Sequence, residues 1–143
     1  MKKLLLGLLF AGSMALTACQ STVYKAADSA TKLEDKGYKV ETYTQEESKA
    51  LITGLNYEGA SFTAAVYATK GSEKDKDLFL GFFFKTNKEA EDFMAKDDNG
   101  NLAIMHKYGE ENVGENLTMR IGTHNNIAYV GSETSFANAG FKL

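Results

Sequence analysis

The sequence predicts an α+β domain with two layers, in which a mostly antiparallel sheet of about five strands carries helices on one of its faces. Extended segments and segments of helical spacing follow each other in the order helix, strand, short helix, two strands, helix, two strands, helix. Residues 78–84 are apolar on both sides, which is typical of a strand in the middle of a sheet. Residues 117–121 and 127–130 read as two strands joined around Asn125 and Asn126, because Asn tolerates positive φ in tight turns.

The domain begins with a predicted helix and strand. Apolar residues recur at helical spacing from Val23 to Leu33, and Gly37 supplies the C-terminal stop. Residues 38–43 alternate and are rich in residues that favour strands, so they are predicted to form the first strand.

A short helix and a second strand are predicted next. Thr44 and Glu47 have the spacing of a capping box, which predicts a helix that continues to about Ile52. Residues 60–69 alternate between apolar and polar, which predicts a strand with one buried face. Residues 71–77 carry charges of both signs and are predicted to form a solvated connection.

The central strand, residues 78–84, is expected to have a neighbour on each side, because an apolar edge strand would promote aggregation. Thr86 and Glu89 repeat the capping-box spacing at the start of another helix. Residues 102–108 fit a helical turn and a strand equally well, and residues 109–116 are predicted to form a polar loop. Ser132 can cap a final short helix.

The N-terminal residues have the layout of an export signal. Lys2 and Lys3 precede the apolar residues 4–16, and small residues then lead to Cys19. Charged, apolar and small residues in this order are typical of a secretory signal peptide. The apolar run is shorter than the roughly 20 residues that a spanning helix needs.

Residues 16–19, Leu-Thr-Ala-Cys, resemble the lipobox of bacterial lipoproteins. The resemblance implies a signal peptide at residues 1–18 and a lipidated Cys19, with a short tether at residues 19–22. Residues 23–143 are predicted to form a single α+β domain. Each buried methylene adds about 0.8 kcal/mol of membrane affinity, so two or three acyl chains on Cys19 would hold the protein firmly. Gln20 is not the Asp that commonly retains Gram-negative lipoproteins at the inner membrane, so the resemblance implies the outer membrane in a Gram-negative host.

The mature part, residues 19–143, is acidic, with 14 Lys and Arg against 19 Asp and Glu and a formal charge of −5. This balance argues against a nucleic-acid partner and against charge-based binding to anionic lipid. Cys19 is the only cysteine, so neither disulfides nor thiolate metal sites are predicted in the domain. The alternative interpretation is an ordinary signal peptide whose cleavage junction happens to include Cys19. Cys19 would then be an unpaired thiol in an exported protein.

Several patterns approach known site motifs without matching them. Ser29 and Lys32 have the Ser-x-x-Lys spacing of penicillin-recognising enzymes, and residues 85–87 come within one residue of their Lys-Thr-Gly element. The chain has no Ser-Asp-Asn and is too short for that fold, so a solvated helix face is the simpler interpretation. Gly109 and Gly114 have phosphate-loop spacing, but Glu-Asn follows where Lys-Ser is needed.

Two further patterns concern ions and glycans. Residues 97–101 superficially resemble a calcium loop, but the register puts Ala95 and His106 at ligand positions, so a helix-ending turn is predicted. Asn116 begins a glycosylation triplet, which we attribute to chance in a bacterial lipoprotein.

The remaining candidates are the two histidines and the sole arginine. His106 and His124 are predicted to be unrelated, since a catalytic zinc usually needs three protein ligands. Arg120 lies in a predicted strand near His124 and Asn125. Its guanidinium could bind a ligand carboxylate bidentately or pair with a cross-strand carboxylate. Arg120 and His124 are therefore the speculative ligand contacts.

The sequence predicts a cell-envelope lipoprotein whose partners are the membrane, through lipid on Cys19, and another envelope protein. No catalytic, cofactor or metal residues are predicted, because no nucleophile with a base, carboxylate pair or metal set has a signature. A non-enzymatic binding module is therefore favoured. The alternative is a small ligand-binding protein or hydrolase with an unrecognised pocket near Arg120 and His124. Residues 120–136 resemble small bacterial lipoproteins to which no activity is attached.

Overall fold

A computed structural model of the chain describes residues 22–57, 62–95 and 100–141. The helices are α1 (Ala26–Asp35), α2 (Gln45–Ser48), α3 (Asn87–Phe93), α4 (Asn101–Asn112) and α5 (Glu133–Asn138), with a 3-10 helix at Glu73–Asp75. The strands are β1 (Lys39–Tyr43), β2 (Phe62–Lys70), β3 (Asp77–Phe84), β4 (Met119–His124) and β5 (Ile127–Ser132). All five strands pair antiparallel in one sheet with the order β1-β2-β3-β5-β4. The predicted α+β fold and the predicted number of strands are confirmed.

Strand β3 lies at the centre of the sheet and is buried on both sides. Phe79 and Phe83 belong to one apolar cluster, and Leu80, Phe82 and Phe84 belong to another. Because successive residues of a strand point to opposite faces, these clusters define a Phe79 face and a Phe82 face of the sheet. The prediction that β3 is a central strand is confirmed.

Helices cover both faces of the sheet. Leu33 of α1 and Phe136 of α5 are buried in the cluster of the Phe79 face. Phe93 at the end of α3 and Met105 of α4 are buried in the cluster of the Phe82 face. The predicted placement of the helices on one face is therefore not confirmed, and the domain has three layers. None of the helices in the described ranges is long and apolar enough to cross a membrane.

Strand β2 is also buried on both faces, so the prediction of one buried face is wrong. Ala65 belongs to the cluster of the Phe82 face, whereas Val66 and Ala68 belong to that of the Phe79 face. The register of β2 against β3 shifts between Phe62 and Ala64. This bulge places Phe62 on the Phe82 face, although simple alternation would place it with Val66.

The predicted helix starts and turns are found where their local signals lie. Thr44 accepts a hydrogen bond from the Glu47 backbone, and the Glu47 side chain accepts one in return, which completes the capping box. Ser132 caps α5 by accepting a hydrogen bond from the backbone of Ser135 at 3.1 Å. Asn125, in the turn between β4 and β5, has a φ of +50°. The predicted extension of α2 to Ile52 is wrong, since that helix ends at Ser48.

Residues 101–112 form α4, which resolves the ambiguity at residues 102–108 and corrects the predicted loop at its start. Gly109 lies where the helix presses on the sheet. A Cβ there would lie 2.5 Å from the Met119 sulfur and 2.6 Å from Cγ2 of Val130. Gly109 therefore allows a close contact between helix and sheet.

We expect Gly109→Ala to lower the free energy of unfolding by about 1 kcal/mol or more, because overpacking outweighs the usual gain in helix propensity. Urea unfolding followed by circular dichroism measures the change. Ala103→Gly, at an exposed position of the same helix, calibrates the propensity term at a loss of about 1 kcal/mol. A Gly109→Ala variant more stable than the parent protein would contradict the packing role.

Candidate functional site

Arg120 and His124 lie on the same side of β4, on the Phe79 face. Arg120 is opposite Gly131 of β5, and His124 is opposite Ile127, whose side chain belongs to the cluster of that face. Gly122 lies between them, and a Cβ there would stand 3.8 Å from the Tyr129 hydroxyl. Four residue steps along the strand place Arg120 and His124 about 13 Å apart, so only an extended ligand could contact both.

The Arg120 guanidinium is paired with Glu133, the first residue of α5. Nη2 and Nε of Arg120 lie 3.3 and 3.4 Å from the same oxygen, Oε2 of Glu133. The two side chains are 47% and 50% exposed, so the pair stabilises the fold only weakly. The carboxylate partner thus comes from the helix that follows β5. Burial raises the pKa of the nearby Tyr129 phenol, and the charge of Arg120 opposes that rise.

His124 is surrounded by aromatic rings. Its ring centre lies 5.5 Å from that of Tyr24, 5.6 Å from that of Phe136 and 5.7 Å from that of Phe141. Burial lowers the pKa of His124, because desolvation disfavours the imidazolium. His106 is exposed on α4, with Nδ1 3.5 Å from Glu110. Because α4 covers the Phe82 face and His124 lies on the Phe79 face, the two histidines are on opposite sides of the sheet.

The lowered pKa of His124 predicts a pH dependence of stability. Below about pH 6.5 the unfolded chain takes up a proton at this imidazole before the folded chain does, so the free energy of unfolding falls as the pH falls. Urea unfolding at about pH 7.5 and about pH 5.5 should show a smaller loss for His124→Gln than for the parent protein. His106→Gln, which leaves His124 in place, should keep the full loss. An equal loss in the His124→Gln variant and the parent would refute the assignment.

The motif-like patterns have structural roles where they are described. Ser29 is buried and Lys32 is exposed, so the prediction of a solvated helix face holds only for the lysine. A Cβ at Gly114 would collide with the backbone of Lys74 and Lys76, so this glycine, like Gly109, is a packing position. Of the calcium-like cluster, residues 97–99 lie outside the described residues, as does Cys19.

A hydroxyl and carboxylate network at the start of β3 was not predicted. Asp77 accepts hydrogen bonds from Tyr38 at 2.5 Å and from Ser132. The Tyr38 hydroxyl in turn accepts one from Asn138 at 3.1 Å. Burial and the Asp77 carboxylate raise the pKa of Tyr38. The network joins the residue before β1, the beginning of β3, the end of β5, and α5, and it occupies both oxygens of Asp77.

Three tyrosines on the Phe82 face form a second group that sequence reasoning missed. We define the tyrosine surface as Tyr43, Tyr67 and Tyr108, with Glu41. Tyr67 lies directly opposite Glu41, and all three rings are half-buried against the cluster of the Phe82 face. Tyr43 donates a hydrogen bond to Glu41, which raises the pKa of Tyr43 to about 12. Burial raises the pKa of Tyr108, and the neighbouring Tyr67 hydroxyl adds to the rise.

These residues are widely spaced in the sequence, and only the pairing of β1 with β2 and the crossing of α4 bring them together. No local sequence motif includes all of them. The only sequence signal was that Tyr43 and Tyr67 each lie in a predicted strand. The raised pKa values of Tyr43 and Tyr108 keep these two phenols protonated at neutral pH. The surface therefore offers hydroxyl hydrogen bonds beside apolar rings.

Comparison of the chain with protein families, with curated proteins and with solved structures finds no match. In the described ranges, no three His, Cys, Asp or Glu side chains form a group that could hold a metal ion.

Proposed function

We propose that the protein is an exported lipoprotein, anchored to the bacterial membrane by acyl chains on Cys19, whose domain acts as a non-enzymatic binding module. The observation that carries this proposal is the order of residues 1–19: two lysines, an apolar run too short to span a bilayer, and the lipobox-like Leu-Thr-Ala-Cys. In a Gram-negative host, Gln20 supports the outer membrane as the destination.

The tyrosine surface supports the binding half of the proposal. Tyr side chains are enriched at protein interfaces because the ring is apolar while the hydroxyl is polar. A partner can bury half-exposed rings without a change in the fold of the domain. Tyr43, Tyr67 and Tyr108 meet this description on one face of the domain. We propose this surface as the contact for another envelope protein.

The alternative, a ligand-binding or hydrolytic site near Arg120 and His124, has less support. The charge of Arg120 is already compensated by Glu133, and His124 packs against aromatic rings, so these contacts of the two side chains are those of structural residues.

The lipid anchor is tested by Cys19→Ser. We expect the variant to leave the membrane fraction and to lose labelling by a fatty-acid analogue, because no other cysteine can carry the acyl chains. Fractionation and gel fluorescence of labelled cells measure both effects. Ser21→Ala, two residues away, is the matched control and should fractionate like the parent. Unchanged fractionation of Cys19→Ser would defeat the proposal.

The binding surface is tested by photo-crosslinking in intact cells. A photoreactive phenylalanine derivative at Tyr67 should give a discrete adduct of higher mass, because the residue would lie inside the interface. The same derivative at Glu34, an exposed position of α1 in the layer on the opposite side of the sheet, should give none. Equal adducts at the two positions, or an adduct only at Glu34, would rule out the tyrosine surface.

A further inference from the structure

The segment that leads into the domain is clamped to the turn between β4 and β5. The Asn126 side chain is fully buried; its Oδ1 accepts a hydrogen bond from the Tyr24 backbone at 2.7 Å, and its Nδ2 donates to the Tyr24 carbonyl at 2.9 Å. Asn125 donates to the Thr22 carbonyl at 3.0 Å. The Tyr24 ring packs edge-on against Phe141, with ring centres 4.8 Å apart. Residues 22–24 therefore move with the domain.

The clamp lies at one end of the sheet. We define the turn end by the ends of the strands that meet there, which are Tyr43, Phe62, Phe84, His124 and Ile127. Asn126 also donates to the Phe84 carbonyl at 2.9 Å and accepts from the Phe84 backbone through its own carbonyl at 2.8 Å, so Lys85 adjoins the same end. The opposite end carries the 3-10 helix Glu73–Asp75 and the loop that follows α4.

The distance from Cys19 to the clamp is limited by covalent geometry. Three residue steps separate Cys19 from Thr22, and consecutive Cα atoms are about 3.8 Å apart, so the two residues lie within about 11 Å of each other in any conformation. Strand β3 has eight residues, which span about 26 Å at 3.3 Å per residue. An anchor at Cys19 therefore holds the bilayer surface next to the turn end, whereas the opposite end lies farther from Thr22 than the tether can reach.

Val23 places an exposed apolar side chain at the turn end. Its side chain is 55% exposed and is the one large hydrophobic residue found exposed in the described part of the chain. It lies four residues from Cys19, between the two clamped residues Thr22 and Tyr24. An exposed apolar side chain costs less free energy in the lipid interface than in water.

We infer that the acyl anchor holds the domain with the turn end of the sheet against the membrane and Val23 in the headgroup layer, so that the Glu73–Asp75 end projects away from the lipid surface. This inference rests on the proposed acylation of Cys19 and goes beyond it, because an anchor on a long tether would fix no orientation.

The experiment compares two exposed lysines at opposite ends of the sheet. Lys85→Cys and Lys74→Cys each add a single free thiol to the acylated full-length protein, where a fluorophore is attached. The labelled proteins are reconstituted in vesicles of phosphatidylethanolamine and phosphatidylglycerol that contain a lipid with a nitroxide on its headgroup. We expect several-fold stronger quenching at position 85 than at position 74, because nitroxide quenching needs near contact.

A second variant separates orientation from general proximity. A Gly-Ser linker of about ten residues between Ser21 and Thr22 leaves the clamp intact but extends the reach of the anchor beyond the length of the sheet, so the difference between the two positions should shrink. Equal quenching at both positions without the linker, or stronger quenching at position 74, overturns the inference. The intact mass of each sample reports the acyl groups: a protein without them overturns the proposed function and this inference together, whereas an acylated protein with equal quenching overturns the orientation alone.

Discussion

The burial of β3 on both faces is the constraint on which the rest of the domain depends. A strand with large apolar side chains on both sides must lie between two covering layers, and no disulfide is available to replace packing, since Cys19 is the only cysteine. The strands on either side of β3 carry small side chains opposite one of its Phe residues. Phe82 is flanked by Ala65 on one side and Ala128 on the other, and these small side chains leave space for the rings of Phe62 and Phe93 that pack against it.

Two buried asparagines attach irregular segments to this core with the same hydrogen-bond pattern. Asn126 pairs with both backbone groups of Tyr24 and with the Phe84 carbonyl. Asn101 pairs with both backbone groups of Asn56 and with the Phe93 carbonyl, at 2.7 to 2.8 Å. A carboxamide offers one acceptor and two donors, so it can replace the backbone partner that a segment outside the sheet lacks. Burial strengthens these bonds and makes their loss costly, which fixes the segments in place.

The features predicted from the sequence are those that depend on nearby residues. The capping box of Thr44, the cap at Ser132 and the turn at Asn125 each need only three or four consecutive residues, and the two-sided apolar pattern of residues 78–84 identifies a central strand by itself. The side of the sheet that a helix covers depends on contacts between residues far apart, so the helix layers were not predictable. The bulge that moves Phe62 to the other face and the packing role of Gly109 also depend on distant partners. The clamp at Asn126 joins residues 102 positions apart, and the same residue had been interpreted only as part of a turn.

A membrane anchor changes how large a binding surface needs to be. The tyrosine surface has three half-exposed rings, whereas a stable interface between two soluble proteins usually covers about 800 Å² on each partner. A partner anchored in the same envelope would be confined to the neighbourhood of the protein, and such confinement would raise its effective concentration. Contacts that would be too weak between free proteins can then suffice. In the proposed orientation, a short tether fixed by Asn126 would add to this effect, because it would limit the directions in which Tyr43, Tyr67 and Tyr108 can face and so reduce the orientational entropy lost on binding.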